Sequence, residues 1–270
     1  MSLTDEVKEF ARKNRADLVG VASADRFQEA PDGRRPWDLL PDAKSVIVMA
    51  KRIPISVVKT IPSPHYNTCC SYLNEQLRVL AYKTALFMED RGFEALPIDP
   101  SISDYARDVE IIREQPAPEI KMLGNFSHRH AAVIAGLGEI SVASYVVVPK
   151  FGPRVRFVSV ISTAPLKPDP RLKEDMKWGL ICKPETCRLA CVKACPPGAL
   201  LGDGMVSHFK CRSYRDPKIY NLEYFKEIAK PSYRGISPIR KISILSRTHP
   251  TSNIETCGVC IKACPIGITI

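Results

Sequence analysis

The chain has 270 residues, 45% of them hydrophobic, with ten cysteines and a formal net charge of +10. A chain of that length can bury a core of its own, so its cysteines need not be the disulfide framework of a small secreted domain, and no apolar run approaches the roughly 20 residues that span a bilayer. Met1-Ser-Leu-Thr-Asp-Glu is polar and acidic, and Arg34-Arg35 leads into Pro-Trp-Asp, so neither Sec nor twin-arginine export is indicated and a reducing, cytoplasmic setting is expected.

Leu3, Val7, Phe10 and Ala11 recur at helical spacing around the start signal Thr4-Asp5-Glu6, which predicts an amphipathic helix over residues 4–15. A short apolar strand is expected at Leu18–Ala22, followed by a surface loop marked by Pro31, Gly33, Pro36 and Pro41. Ser45–Ala50 is a continuous apolar run of strand length, suited to the middle of a covered sheet with the first helix packed on it. Pro54, Pro62 and Pro64 predict an extended loop over residues 53–64 that ends in His65–Cys70. From Thr68 to Arg91 the residues Leu73, Leu77, Leu80, Ala81, Phe87 and Met88 recur every three or four positions, predicting the longest helix, closed by Gly92. Cys69 and Cys70 at its start read as buried small hydrophobes.

Phe93–Ile98 is a third strand candidate, ending at Asp99-Pro100. A helix is expected at Ser103–Glu114, broken by Gln115-Pro-Ala-Pro118. Asn125–His130 then leads into Ala131–Gly138, whose small residues allow close backbone contact and whose short helix ends at a glycine turn. Val142–Val148 and Val155–Ile161 are expected to form a hairpin across Pro149–Pro153. Gly136-Leu137-Gly138 lacks the third glycine and the preceding strand of a dinucleotide fingerprint. His128 and His130, two apart, would point to different faces of a helix and could not chelate one metal together; a substrate-facing role for one of them stays open beside surface or capping roles. The mixed elements predict an α+β chain, with proline-rich Thr163–Pro170 linking a first unit, residues 1–168, to a second, residues 169–270.

In the second unit the cysteines read Cys182-x4-Cys187-x3-Cys191-x3-Cys195-Pro196 and Cys257-x2-Cys260-x3-Cys264-Pro265, with Cys211 between the runs. Closely spaced cysteines ending in Cys-Pro suit 4Fe-4S clusters, because three thiolates of one loop can cap three irons while the fourth comes from elsewhere. In two-cluster ferredoxins the cysteine before proline ligates the other cluster. That rule assigns Cys182, Cys187, Cys191 and Cys264 to one cluster and Cys195, Cys211, Cys257 and Cys260 to the other. Zinc would call for paired Cys-x2-Cys knuckles, and the chain has one such pair. Eight thiolates around two cores of charge 2+ bring about four negative charges. Lys173, Lys177, Lys183, Arg188, Lys193, Lys210, Arg212 and Arg215 offset them as a solvated face, with no interleaved aromatic platform to favour nucleic acid. Residues 212–254 are an insertion between the ligand sets, with a helix expected at Asn221–Lys230.

Most of the chain resembles the corrinoid-dependent reductases that include epoxyqueuosine reductase and the reductive dehalogenases. Besides the cysteines, the resemblance is carried by Ala16-Asp17-Leu18-Val19-Gly20-Val21-Ala22, by Leu40-Pro41-Asp42-Ala43-Lys44-Ser45-Val46-Ile47-Val48, by Ala135-Gly136-Leu137-Gly138 and by Cys211-Arg-Ser-Tyr214. It implies a nitroreductase-like α/β domain carrying cobalamin in its base-off form, followed by a ferredoxin-like domain with two 4Fe-4S clusters. A donor such as a ferredoxin or flavodoxin would supply electrons, which would pass through both clusters to cobalt. Gly136, Leu137 and Gly138 are then expected beside the cofactor, with His128 and His130 near it. Asp99 matches the carboxylate after the third strand that protonates the reduced substrate, a task suited to an enclosed carboxyl of raised pKa. The alternative for Asp99 is a turn residue before Pro100.

The chain departs from the family where Gly-Lys-Asn is replaced by Glu139-Ile140-Ser141-Val142-Ala143, and where residues 103–125 add a segment. The helical-repeat domain with which epoxyqueuosine reductases hold tRNA has no counterpart after Cys264, so tRNA is not an expected partner. Three functions stay open. One is a reductase acting on a small molecule, its pocket roofed by the 53–68 loop and the 99–130 segment. Another is an electron carrier, for instance one reducing a separate corrinoid protein, and the third is a reductase holding FMN across a homodimer. Each would work in the anaerobic conditions that exposed clusters favour.

Overall fold

A computed structural model of the chain describes residues 1–101, 124–175, 177–215 and 257–267. The helices expected at 103–114 and 221–230 lie outside the described residues. Among the described residues the helices are α1 (Leu3–Lys13), α2 (Pro36–Leu39), α3 (Ile55–Lys59), α4 (Pro64–Glu89), α5 (His128–Ile134), α6 (Pro184–Cys187), α7 (Ala190–Lys193), α8 (His208–Arg215) and α9 (Val259–Ala263). The strands are β1 (Leu18–Ser23), β2 (Ser45–Arg52), β3 (Ala95–Ile98), β4 (Glu139–Ile140), β5 (Val146–Val147) and β6 (Val155–Ser162). None of these helices is long and apolar enough to cross a membrane.

Four strands form one antiparallel sheet in the order β1-β2-β6-β3, with Leu18 opposite Ala50, Ser45 opposite Ser162 and Ala95 opposite Ser162. Alternation along the central strands explains why β2 is apolar from Val46 to Ala50. Val46, Val48 and Ala50 pack under α5 with Phe157 and Ile161. Ile47 and Met49 face the other way, onto Val7 and Ala11 of α1 and onto Leu77, Leu80, Ala81 and Met88 of α4. A strand covered on both sides has no solvent face on which to place polar residues.

Four boundaries differ from expectation for identifiable reasons. Helix α1 begins after Ser2, whose Oγ accepts from the Asp5 amide (3.2 Å) while Asp5 Oδ2 accepts from the Ser2 amide (3.2 Å). This reciprocal pair satisfies two amides that would otherwise be orphaned at the helix start. Helix α4 begins four residues earlier than its apolar period suggests, because Pro64 occupies its first turn and Ser63 Oγ accepts from the Tyr66 amide (3.2 Å). Proline at a helix start costs nothing, since its missing amide is unpaired there anyway. Within the expected loop, Pro54 likewise precedes the short α3. The expected hairpin does not form: β5 pairs with β4, while β6 leaves the turn closed by the Val148–Gly152 bridge and enters the main sheet between β2 and β3.

A second core joins Val142, Ala143 and Val147 to Cys182, Cys191 and Leu200, with Tyr145, Trp178, Leu189, Val192 and Ile266 packed around them. The segment read as a linker is pinned to the sheet. Asp169 exchanges backbone and side-chain bonds with Val21 (2.8 Å each) and pairs with Lys8 Nζ at 2.6 Å.

Candidate functional site

A cavity of about 1570 Å³ opens between the sheet and the cysteine-bearing segments. Its walls come from residues 25–31, from the end of β3 through Asp99 and Ser101, from Ser127–His130 at the start of α5, and from residues 143–145 and 155–157. Leu200, Val206, His208, Cys211 and Cys260 close it from the cysteine side. Pockets for small molecules are usually about 300–1,000 Å³, so this one has room for a larger group.

The fold brings the cysteines together as two sets of four. Burial pushes the Cys182 thiol up to about 11, with Cys191, Cys264 and Cys187 close enough to add to the effect. Burial likewise pushes Cys260 up to about 12, aided by Cys211, Cys257 and Cys195. Among the described residues no three His, Cys, Asp or Glu side chains converge as the ligands of a single ion would. Cys211 and Cys260 line the cavity, whereas no member of the Cys182 set does.

Two residues that sequence reasoning passed over organise this region. Glu139, 2% exposed, sits directly after the glycine turn, and its carboxylate accepts from three successive amides: Leu180 (3.0 Å), Ile181 (2.7 Å) and Cys182. It therefore holds the backbone that presents the first cysteine. Tyr145 lies between the two sets and at the cavity wall. Its hydroxyl donates to the Cys260 carbonyl (3.3 Å), and burial, followed by Cys264, Cys191 and Cys260, pushes the phenol upward. The available signal was a lone acid in the apolar stretch 131–148, since a charge there must find buried partners.

Asp99 stands at the cavity wall with Arg78 Nε donating to Oδ2 (2.6 Å) and the Ser101 amide donating to Oδ1 (2.8 Å). His128 fixes its backbone. A carbonyl can only accept, so Nε2 of His128 donates to the Asp99 carbonyl (2.9 Å) and Nδ1 accepts from the Ser159 hydroxyl (2.9 Å). That is the neutral ring, and burial together with Arg156 pushes its pKa below the ordinary range against the opposing pull of Asp99. Below about pH 6.5 the unfolded chain binds a proton that folded His128 resists, so this contribution is full above that pH and is lost as pH falls toward the folded pKa. His128→Asn is therefore expected to flatten the acid limb of stability between about pH 7.5 and about pH 5.5. Denaturant melts at the two values check it, and equal slopes in both proteins would remove His128 as the source.

His130 also lines the cavity, its Nδ1 paired with Ser127 Oγ (2.6 Å) at the cap of α5. Gly136, Leu137 and Gly138, expected beside a cofactor, do not line it. Gly136 lies against the Pro170 carbonyl, Gly138 against the Val147 carbonyl, and Leu137 against Gly20. Nor does the 53–68 segment roof the cavity. Ile53, Val58, Ile61 and Tyr66 pack with Val259 and Ile261, and Lys262 Nζ donates to the Ile61 carbonyl (2.6 Å). Apolar side chains on both α3 and α9 make that docking more favourable than exposure to solvent.

No protein-family model matches the chain. It is 28% identical over 260 residues to tetrachloroethene reductive dehalogenase from Dehalobacter restrictus, covering 80% of this chain and 40% of that protein. It is 26% identical over 240 residues to epoxyqueuosine reductase from Bacillus subtilis, covering 78% of this chain and 55% of that protein. The chain thus spans about half or less of the length of these relatives. Among solved structures, an epoxyqueuosine reductase with a tRNA-Tyr stem loop superposes with a TM-score of 0.57 at 20% identity, covering 98% of this chain and 65% of that one. A reductive dehalogenase whose structure suggests a mechanism for B12-dependent dehalogenation superposes with a TM-score of 0.52 at 15% identity, covering 89% of this chain and 36% of that one. In sequence and in fold, this chain is similar to both the epoxyqueuosine reductases and the reductive dehalogenases.

Proposed function

We propose that the chain is an iron-sulfur reductase that delivers electrons to a corrinoid held in its large cavity, where a small-molecule substrate is reduced. The observation that carries this reading is the position of Cys211 and Cys260. Both belong to one four-cysteine set and both form part of the cavity wall, so the set nearest the cavity is also the set able to hold a redox centre beside it. Cys182, Cys187, Cys191 and Cys264 would hold one 4Fe-4S cluster, and Cys195, Cys211, Cys257 and Cys260 the other. A bound corrinoid would supply low-valent cobalt as the reducing centre.

The chain's own residues do the positioning. Arg78 and the Ser101 amide hold the Asp99 carboxylate at the cavity wall, while His128 holds its backbone. In the relatives' manner Asp99 would deliver the proton to the reduced substrate. Its pairing with Arg78 favours the carboxylate form, so substrate binding has to loosen that pair before Asp99 can carry a proton. Tyr145 stands at the cavity wall and packs on the core that contains Cys182 and Cys191. A carrier with no substrate of its own would have no use for a cavity of about 1570 Å³.

Anaerobic titration of the iron-loaded chain with cob(II)alamin tests the reading. The expected result is a stoichiometric change of the cobalt paramagnetic signal to the base-off form, beside about eight irons per chain. Eight irons with an unchanged cobalt signal would leave the cavity without its proposed occupant.

A further inference from the structure

The two cysteine sets differ in their surroundings. The Cys195 set reaches the cavity through Cys211 and Cys260; the Cys182 set does not touch the cavity. Cys182, Cys191 and Cys264 are buried, and Cys187 is the member that reaches toward solvent. On either side of it Lys183 and Arg188 are exposed, as is Lys193 beyond, and among the described residues none of the three enters an ion pair. Glu185 is the one acid in that stretch of the run.

Beside these cations lies an apolar patch. Leu180 is 50% exposed, Leu201 60% and Met205 56%. Leu201 and Met205 face each other across a tight turn, the Leu201 amide donating to the Met205 carbonyl (3.3 Å). A Cβ added to Gly202 in that turn would lie 3.9 Å from Leu189 and Val192, which places the patch against the cysteine run itself, and Gly204 packs on Trp178, two residues before Leu180. The result is a small apolar centre with unpaired cations at its rim, over the cysteine set farther from the cavity.

We propose that this face is the docking surface for an acidic one-electron carrier protein of the ferredoxin or flavodoxin class. The inference rests on the reading that the Cys182 set holds a cluster. With the Cys195 set beside the cavity, electrons would enter at the Cys182 set, and half-buried Cys187 is the member of that set nearest to solvent. Electron-transfer encounters are small and transient; rim charges steer the partner and set the association rate, while the apolar centre allows close approach. One electron passes from the carrier and no atoms are transferred. Single-stranded nucleic acid fits this face less well, because the exposed side chains at its centre are aliphatic and offer no stacking platform.

Stopped-flow mixing of the full iron-loaded chain with a reduced, acidic bacterial ferredoxin tests the proposal, with equilibrium binding of the oxidised ferredoxin measured in parallel. The K183E/K193E double variant is expected to lower the association rate and the affinity at least tenfold, and the wild-type rate is expected to fall steeply with salt. L201S/M205S should weaken binding with little change in salt dependence. K13E, a reversal on α1, which packs on α4 and β1, serves as the control for net charge and should leave both readouts unchanged. Full iron content with no response to the rim reversals overturns the proposal and leaves the proposed function standing. A wild-type chain that takes up no iron overturns both. Rim reversals that abolish binding of single-stranded RNA while leaving the ferredoxin rate intact also overturn it.

Discussion

Glu139→Ala is expected to cost about 3 kcal/mol or more of stability and to release one of the two cysteine sets. The carboxylate, itself 2% exposed, is the acceptor for three consecutive amides, Leu180, Ile181 and Cys182, the last of them buried. A buried donor left without a partner costs about 1–3 kcal/mol; the Cys182 amide is such a donor, and the part-buried Leu180 and Ile181 amides lose the same acceptor. They all belong to the backbone that presents Cys182, so the damage should fall on the Cys182 set first. Iron content is expected to drop toward half on exposure to a chelator while the Cys195 set holds its iron. Glu139→Gln keeps one acceptor oxygen and places an amide donor against the remaining backbone donors, so it should fall between wild type and alanine. Thermal melts, chelator-challenged iron assays and the paramagnetic signals of the two clusters check this. An alanine variant that melts like wild type and loses iron from both sets at the wild-type rate would show that the three amides find other partners.

A second large effect is expected at Gly136. Its φ of +71° is a conformation that side-chain-bearing residues occupy at a cost of roughly 1–2 kcal/mol, and an added Cβ would run into the Pro170 carbonyl oxygen. A backbone carbonyl cannot rotate aside as a long side chain can, so the turn between α5 and β4 or the segment around Asp169 has to move. Gly136→Ala is expected to cost about 3 kcal/mol or more, a size that belongs to backbone strain and overpacking together. Gly92→Ala provides the control, because Gly92 has a φ of +80° with nothing within 4 Å of the added carbon, and it should cost only the conformational part, about 1–2 kcal/mol. Since Gly136 does not line the cavity, affinity for cob(II)alamin should be preserved in whatever fraction of the variant stays folded. Unchanged melting with lost cobalamin binding would return Gly136 to the cofactor contact that its motif implies.

Much of the chain was legible wherever the controlling interaction is local. The period of Leu73, Leu77, Leu80 and Ala81 marks α4, and the unbroken apolar run of β2 marks a strand covered on both faces. The start of α4 was misplaced because Pro64 was weighed as a helix breaker, when at a first turn it is an initiator. The hairpin expected over residues 142–161 failed for a different reason. Apolar strands separated by a glycine-proline turn satisfy local rules for pairing with each other, but β6 gains more by filling the gap between β2 and β3, where both of its faces are covered.

The candidate site divides along the same line. Spacing and the Cys-Pro turns are properties of a few consecutive residues, and from them alone the sequence proposes two sets of four cysteines. Which set faces a cavity depends on contacts such as Tyr145 with Cys260, 115 residues apart, and Glu139 with Leu180 through Cys182, 41 to 43 residues apart. Gly136 and Gly138 show the limit most plainly. Their sequence declares that something comes very close to the backbone; only the fold decides that it is the chain's own Pro170 and Val147. Chemistry written in side-chain type and short spacing was therefore determined by the sequence itself. The direction each group faces was decided by tertiary structure, because it follows from which distant segments bury their apolar surface together.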